Sequence, residues 1–272
     1  MERMAKVLLL TLFAAMCFAR QASAQHELGF AFYDVDRLYD TLPSLFYNDK
    51  DYTPAGRYKW TSERYRRKVQ AVAAVIDSMA MPVTVLYGVE TEQTVRDIAA
   101  LSGGYYSYIH RTLNTPDGMD FALLYYGDVL FPKRVEHGTG HLTVEAEAGG
   151  RDYTFILVRR AAYTAELVAG ARRRNPEAFI IVAGDLRGAD IKALNLTDAT
   201  ERLRRAGRGN VRYAEGWKMS CRILVDRRCE AEADIFVRRQ LLDRRGVPLP
   251  TFDKAAYRGG AGGKLPIFCY IR

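Results

Sequence analysis

The 272 residues carry 40 basic and 32 acidic side chains, a formal net charge of +8, and 49% of them are hydrophobic. That much apolar material supports one sizeable core and excludes a disordered or low-complexity chain. No internal repeat or Pro/Ser-rich linker divides it, so a single domain and a monomer are expected.

Arg3 and Lys6 precede an apolar stretch from Val7 to Ala19, and Ala22-Ser23-Ala24 stands before Gln25. A basic start, a short apolar run and an A-x-A site predict a signal peptide over residues 1–24 and one domain over residues 25–272. The expected location is therefore periplasmic or secreted. A transmembrane anchor is not expected, because no later run approaches the roughly 20 apolar residues that a bilayer requires. Cys221, Cys229 and Cys269 follow the cleavage point, and either one disulfide with a spare thiol or three small buried hydrophobes fits them.

Leu28 to Tyr33 reads as the first strand and Asn48 to Gly56 as a surface loop. Thr61 is placed to cap a helix on which Tyr65, Val69, Val72, Ile76 and Met79 form one face, opposite Arg66, Arg67 and Gln70. Strands follow at Val83–Tyr87 and Phe121–Tyr126, with a helix near Thr94–Ser102. Leu142–Val144 and Tyr153–Val158 bracket Gly149-Gly150, a hairpin signature. Ala165–Arg174 reads as helix, Phe179–Ala183 as strand, Asp198–Arg205 as helix, and Cys221–Val225 and Leu265–Ile271 as strands. This interleaving predicts an α+β domain with sheets inside and helices outside.

Several segments, in order, resemble one family. Phe32-Tyr33-Asp34-Val35-Asp36-Arg37-Leu38-Tyr39-Asp40 resembles an opening Y-N-V-E-N-L-F-D, and Asn48 to Ile76 is similar to a stretch of its secreted bacterial members. Met119 to Tyr125 resembles G-I-D-V-A-L-L-Y, Ile181 to Leu186 the G-D-F-N strand, and Gly262-Gly263-Lys264-Leu265-Pro266 the terminal S-D-H-x-P. The family is the DNase I-like endonuclease/exonuclease/phosphatase family. The resemblance implies a four-layer αββα sandwich and Mg- or Mn-dependent cleavage of phosphate esters, with a phosphate-containing or nucleic-acid ligand. Such chemistry uses hard oxygen ligands, a carboxylate with an amide to orient water, and histidines to stabilise developing charge.

The resemblance also marks departures. Gly88 stands where the metal-binding Glu is expected, Leu157 to Tyr163 lacks the motif's histidine, Arg187 replaces the Asn of G-D-F-N, Cys221 replaces an Asp, and Gly263-Lys264 replaces Asp-His. Asp34, Asp36 and Asp185 are the expected catalytic remnant. Asp36 and Glu90 are the candidate metal ligands, Glu90 only after a shift of about 7 Å along its strand. Asp34 and Asp36 equally fit a pair of solvated turn acids. Arg159, Arg160, Arg187 and Lys264 are candidate anion contacts, and Arg187 also fits as a partner of Asp185.

Two functions follow. One is an exported family member, impaired in catalysis, that acts as a binding or structural protein. The alternative is an active metal-dependent phosphodiesterase or nuclease rebuilt from Asp34, Asp36, Glu90, Asp120 and Asp185, which requires at least three of these acids in one cleft. Basic residues Arg64, Arg66, Arg67 and Lys68 and the run Arg172 to Arg174 add a charge-driven nucleic-acid surface as a further expectation.

Overall fold

The computed structural model describes residues 27–103 and 105–272, so the expected signal peptide and His26 lie outside it. Strands β1 (Leu28–Leu38), β2 (Val83–Val89), β3 (Tyr106–His110) and β4 (Asp120–Tyr126) open the chain. Next come β5 (Phe131–Gly138), β6 (His141–Ala148), β7 (Arg151–Val158), β8 (Phe179–Gly184) and β9 (Leu196–Asp198). The remainder are β10 (Val211–Tyr213), β11 (Gly216–Lys218), β12 (Arg222–Asp226), β13 (Ala231–Ile235), β14 (Phe252–Asp253), β15 (Ala256–Tyr257) and β16 (Ile267–Ile271). Helices α1 (Ser62–Met79) and α2 (Glu92–Leu101) flank β2, α3 (Thr164–Arg174) joins β7 to β8, and α4 (Ile191–Leu194) and α5 (Glu201–Arg205) are short.

Two six-stranded sheets form, ordered β13-β16-β1-β2-β4-β3 and β5-β6-β7-β8-β12-β9. Each has one parallel pair near its middle, β1 with β2 and β7 with β8. A parallel pair requires a crossover, which α1 and α3 supply. Phe30 stacks on Phe155 across the two sheets, ring centroids 5.8 Å apart. Val168 and Ala171 of α3 pack on Ile156, Val158, Ile180 and Val182 from outside, while α1 and α2 cover the other sheet. The result is the expected αββα sandwich.

β1 is buried on both faces, which explains its near-continuous apolar sequence. The Thr61 hydroxyl accepts from the Arg64 N–H at 3.4 Å to start α1, and Val69, Val72, Ile76 and Met79 are buried as the spacing predicts. Gly149 and Gly150 have φ of +56° and +73°, the two positive values of a tight hairpin turn. The helix expected over Asp198–Arg205 begins at Glu201, because Asp198 ends β9 and its carboxylate accepts from the Thr200 N–H at 2.9 Å. Strands β5 and β13 carried no clear signal: β5 is an exposed edge rich in charge, and the alternation of β13 rests on small Ala residues between acids.

One side chain sits against expectation. Lys68, read as part of the exposed basic face of α1, is 1% exposed. Its ammonium donates to the Asp36 carbonyl at 2.7 Å and the Arg37 carbonyl at 3.3 Å. Both residues are left-handed, with φ of +53° and +55°, where β1 shifts register against β2 between Asp34 and Leu38. Burial pulls the Lys68 pKa down to about 8, partly offset by Asp36 and Asp34.

This ammonium satisfies carbonyls that the bulged strand cannot pair. Lys68→Ala is expected to destabilise the fold by about 3 kcal/mol through a cavity and two orphaned carbonyls. Arg67→Ala, one position away but exposed, is expected to change stability by less than about 0.5 kcal/mol. Urea denaturation of the two variants checks the contrast.

Candidate functional site

A cleft of about 880 Å³ opens along one edge of the sandwich. Asp34 and Tyr87 at the ends of β1 and β2, Arg159, Arg160 and Asp185 after β7 and β8, Cys221 before β12, and Lys264 before β16 line it. The far wall is the hairpin β10–β11 with Tyr213, Trp217 and Lys218, joined by Arg204 and Arg208. Strand ends from both sheets therefore converge here.

The carboxylates at the floor are already engaged. Asp34 Oδ2 pairs with the Lys264 ammonium, and Asp34 Oδ1 accepts from the Asp36 N–H at 3.0 Å. Burial opposes the charge on Lys264, but Asp34 and then Asp36 outweigh it, so its pKa lies above the ordinary value. Asp185 is gripped by both arms of Arg187, Nε to Oδ1 at 2.8 Å and Nη2 to Oδ2 at 2.6 Å. Burial raises the Asp185 pKa, and the Arg187 contacts more than reverse that, leaving it below its ordinary value.

The other expected acids do not join them. The left-handed turn places Asp36 outside the cleft lining, with Oδ1 3.7 Å from Arg37 Nε. Glu90, expected beside Asp36 as a metal ligand, is also absent from the cleft lining. Glu90 is 4% exposed, with Oε2 accepting from the Asp40 N–H at 2.6 Å and Oε1 from the Tyr47 hydroxyl at 2.8 Å. It fastens the loop after β1. Asp120 is 1% exposed, accepts from the Leu113 N–H at 2.9 Å, and has Oδ2 3.3 Å from His110 Nε2 out of hydrogen-bond alignment. Of the five acids in the rebuilt-site alternative, only Asp34 and Asp185 line the cleft, short of the three it requires.

Gly88 explains why no carboxylate replaces them. Its φ is +89°, and a Cβ there would lie 3.1 Å from the Arg37 nitrogen and 3.7 Å from Asp34 Oδ1. The turn at Asp36–Arg37 and the glycine are thus complementary: a side chain at position 88 would press on that turn and adopt a strained backbone. Cys221, where an Asp is expected, is buried with a pKa pushed up to about 12. Cys229 and Cys269 are also buried, and all three are free thiols.

Seven cations line the cleft against two carboxylates. Three of the four predicted anion contacts are committed to acids: Lys264 to Asp34, Arg187 to Asp185, and Arg159 to Asp117 through contacts of 2.6 and 2.7 Å. Arg204 and Arg208 pair with Asp198 and Asp234, each at 2.7 Å. Arg160 and Lys218 have no ion pair among the described residues. Tyr213, Trp217, Lys218, Arg204 and Arg208 escaped the sequence analysis; their one signal was a basic stretch with interleaved aromatics between Arg202 and Lys218.

Residues 29–158 match the Endonuclease/Exonuclease/phosphatase family. Solved structures agree over nearly the whole chain. An endonuclease/exonuclease/phosphatase family protein from Bacteroides thetaiotaomicron is 13% identical with a TM-score of 0.59, over 90% of this chain and 97% of that one. The family match spans 130 of the 272 residues, and the solved structures show its fold over about nine tenths of the chain. Another such protein from Bacteroides vulgatus is 11% identical with a TM-score of 0.59, over 90% and 98%. D. rerio TDP2 complexed with single-strand DNA product is 12% identical with a TM-score of 0.56, over 90% and 99%. No curated protein matches.

The divalent metal that this family implies does not fit the residues present. No group of three His, Cys, Asp or Glu among the described residues is arranged to hold an ion. Hard oxygen ligands with free lone pairs are the requirement, and Asp34 and Asp185 are each neutralised by a neighbour.

Glu90 carries a pH signature. Burial, helped by Asp40 and Asp49 and opposed by its two donors, raises its pKa from 4.5 to about 7. The folded carboxyl then holds its proton more tightly than the unfolded one, so stability falls as pH rises through that window. In Glu90→Gln the amide oxygen accepts from the Asp40 N–H, and the amide NH2 donates to the Tyr47 hydroxyl, which turns to accept. Its stability relative to the wild type is expected to improve by up to about 3 kcal/mol between pH 4.5 and pH 8, measured by thermal unfolding.

Proposed function

We propose that this chain is an exported member of the endonuclease/exonuclease/phosphatase family that binds phosphate-bearing ligands in its cleft and is impaired in metal-dependent phosphoester hydrolysis. The observation that carries the reading is the pairing of both remaining floor carboxylates with cations of the chain itself, Asp34 with Lys264 and Asp185 with Arg187. A lysine whose pKa is raised stays protonated near neutrality, so Lys264 cannot accept a proton as an imidazole would. It can still meet an anionic oxygen.

The cations Arg160 and Lys218, which have no acid partner among the described residues, and the aromatic faces of Tyr213 and Trp217 support a ligand that carries phosphate and presents a flat group for stacking. The single-strand DNA held by D. rerio TDP2 makes an oligonucleotide a reasonable probe. Export rests on the sequence of residues 1–24.

Hydrolysis of bis-(p-nitrophenyl) phosphate and DNA with magnesium or manganese is the first test. No chelator-sensitive turnover is expected. Chelator-sensitive turnover that disappears in Asp34→Ala plus Asp185→Ala would overturn the reading. Fluorescence anisotropy with a labelled single-stranded oligonucleotide in EDTA is the second. Binding that weakens with salt, and by about tenfold or more in Arg160→Glu plus Lys218→Glu, is expected. Unchanged binding in that variant would remove the cleft as its site.

A further inference from the structure

The loop after β1 presents large apolar side chains to water. Leu42, Leu45 and Phe46 are 70%, 95% and 93% exposed. The loop is not loose chain. Glu90 holds the Asp40 N–H and the Tyr47 hydroxyl, and both oxygens of Asp49 accept from the Ser44 N–H at 3.1 and 3.0 Å. Asp40 Oδ1 accepts from the Leu42 N–H at 2.7 Å. Hydrogen bonds that fix a backbone while its apolar side chains point outward keep those side chains from collapsing onto the core.

The position of the loop ties it to the cleft. It leaves the same ends of β1 and β2 that carry Asp34 and Tyr87 into the cleft, and Tyr47 packs against Gly118, next to Asp117, the partner of the cleft residue Arg159. Apolar tip and cationic cleft thus share one edge. A partly inserted apolar loop beside a cationic surface matches the chemistry of an anionic bilayer, apolar below the headgroups and negative at them. Asp117 is paired with Arg159, whereas Asp40 and Asp49 accept only from backbone N–H groups of the loop and keep their charge, so insertion rests on the apolar tip and headgroup attraction on Arg160 and Lys218.

We propose that the Leu42–Phe46 loop docks this protein onto an anionic phospholipid surface, inserting Leu45 and Phe46 and bringing the cationic cleft to the headgroups. The headgroup contact rests on the phosphate-binding reading of the cleft, whereas the insertion stands on the loop alone. The test is co-sedimentation with vesicles of phosphatidylcholine alone and of phosphatidylcholine mixed with phosphatidylglycerol, using the wild type and Leu45→Ser plus Phe46→Ser. Oligonucleotide anisotropy runs beside it. Expected are binding to the mixed vesicles only, a loss of about tenfold or more in the double variant, and unchanged oligonucleotide binding by that variant. A blue shift of the new indole in Phe46→Trp on mixed vesicles is the matching direct readout. Absence of vesicle binding by the wild type, or equal binding by the double variant, overturns the docking proposal. Vesicle binding that needs the loop, in a protein that binds no oligonucleotide, supports docking and counts against the cleft reading instead.

Discussion

A carboxylate serves a divalent cation only while its oxygens are free, and the ion pair between Lys264 and Asp34 takes that freedom away. The second carboxylate of the cleft is held in the same way. Arg187 treats Asp185 as Lys264 treats Asp34. With both acids neutralised from within the chain, and Arg159, Arg204 and Arg208 paired with Asp117, Asp198 and Asp234, the positive charge left over in the cleft is that of Arg160 and Lys218. That charge attracts anions without the help of a metal.

The backbone has adjusted together with the side chains. The left-handed pair Asp36–Arg37 carries the end of β1 across the space that a side chain at position 88 would need, and Gly88 leaves that space empty. Lys68 reaches from α1 to hold the two carbonyls that this turn exposes. These three features depend on one another. A glutamate at position 88 would therefore strain the backbone and crowd Arg37.

The sandwich was legible because its evidence is distributed: apolar strands at Leu28–Tyr33, Val83–Tyr87 and Phe179–Ala183 and the face of α1 each follow from local pattern. Their order then resembled one family. The site was legible only as a set of positions. That Asp34 and Asp185 would reach one cleft followed from the motifs, but nothing in the sequence separates a free carboxylate from one paired with a lysine 230 residues away. Lys68 looked solvated because its neighbours Arg66 and Arg67 are, and its burial depends on a turn in a different element. Glu90 matched a family acid, yet its orientation is set by Asp40 and Tyr47 in a loop whose course has no periodic signal. Trp217 and Lys218 lay outside every matched motif and enter the cleft only through the short hairpin β10–β11.

Direct titration of the wild-type protein with Mn²⁺, followed by electron paramagnetic resonance of the free ion, tests the central claim most directly. The account predicts no saturable site at sub-millimolar Mn²⁺. A saturable site that Mg²⁺ competes for and that Asp34→Ala removes would contradict it.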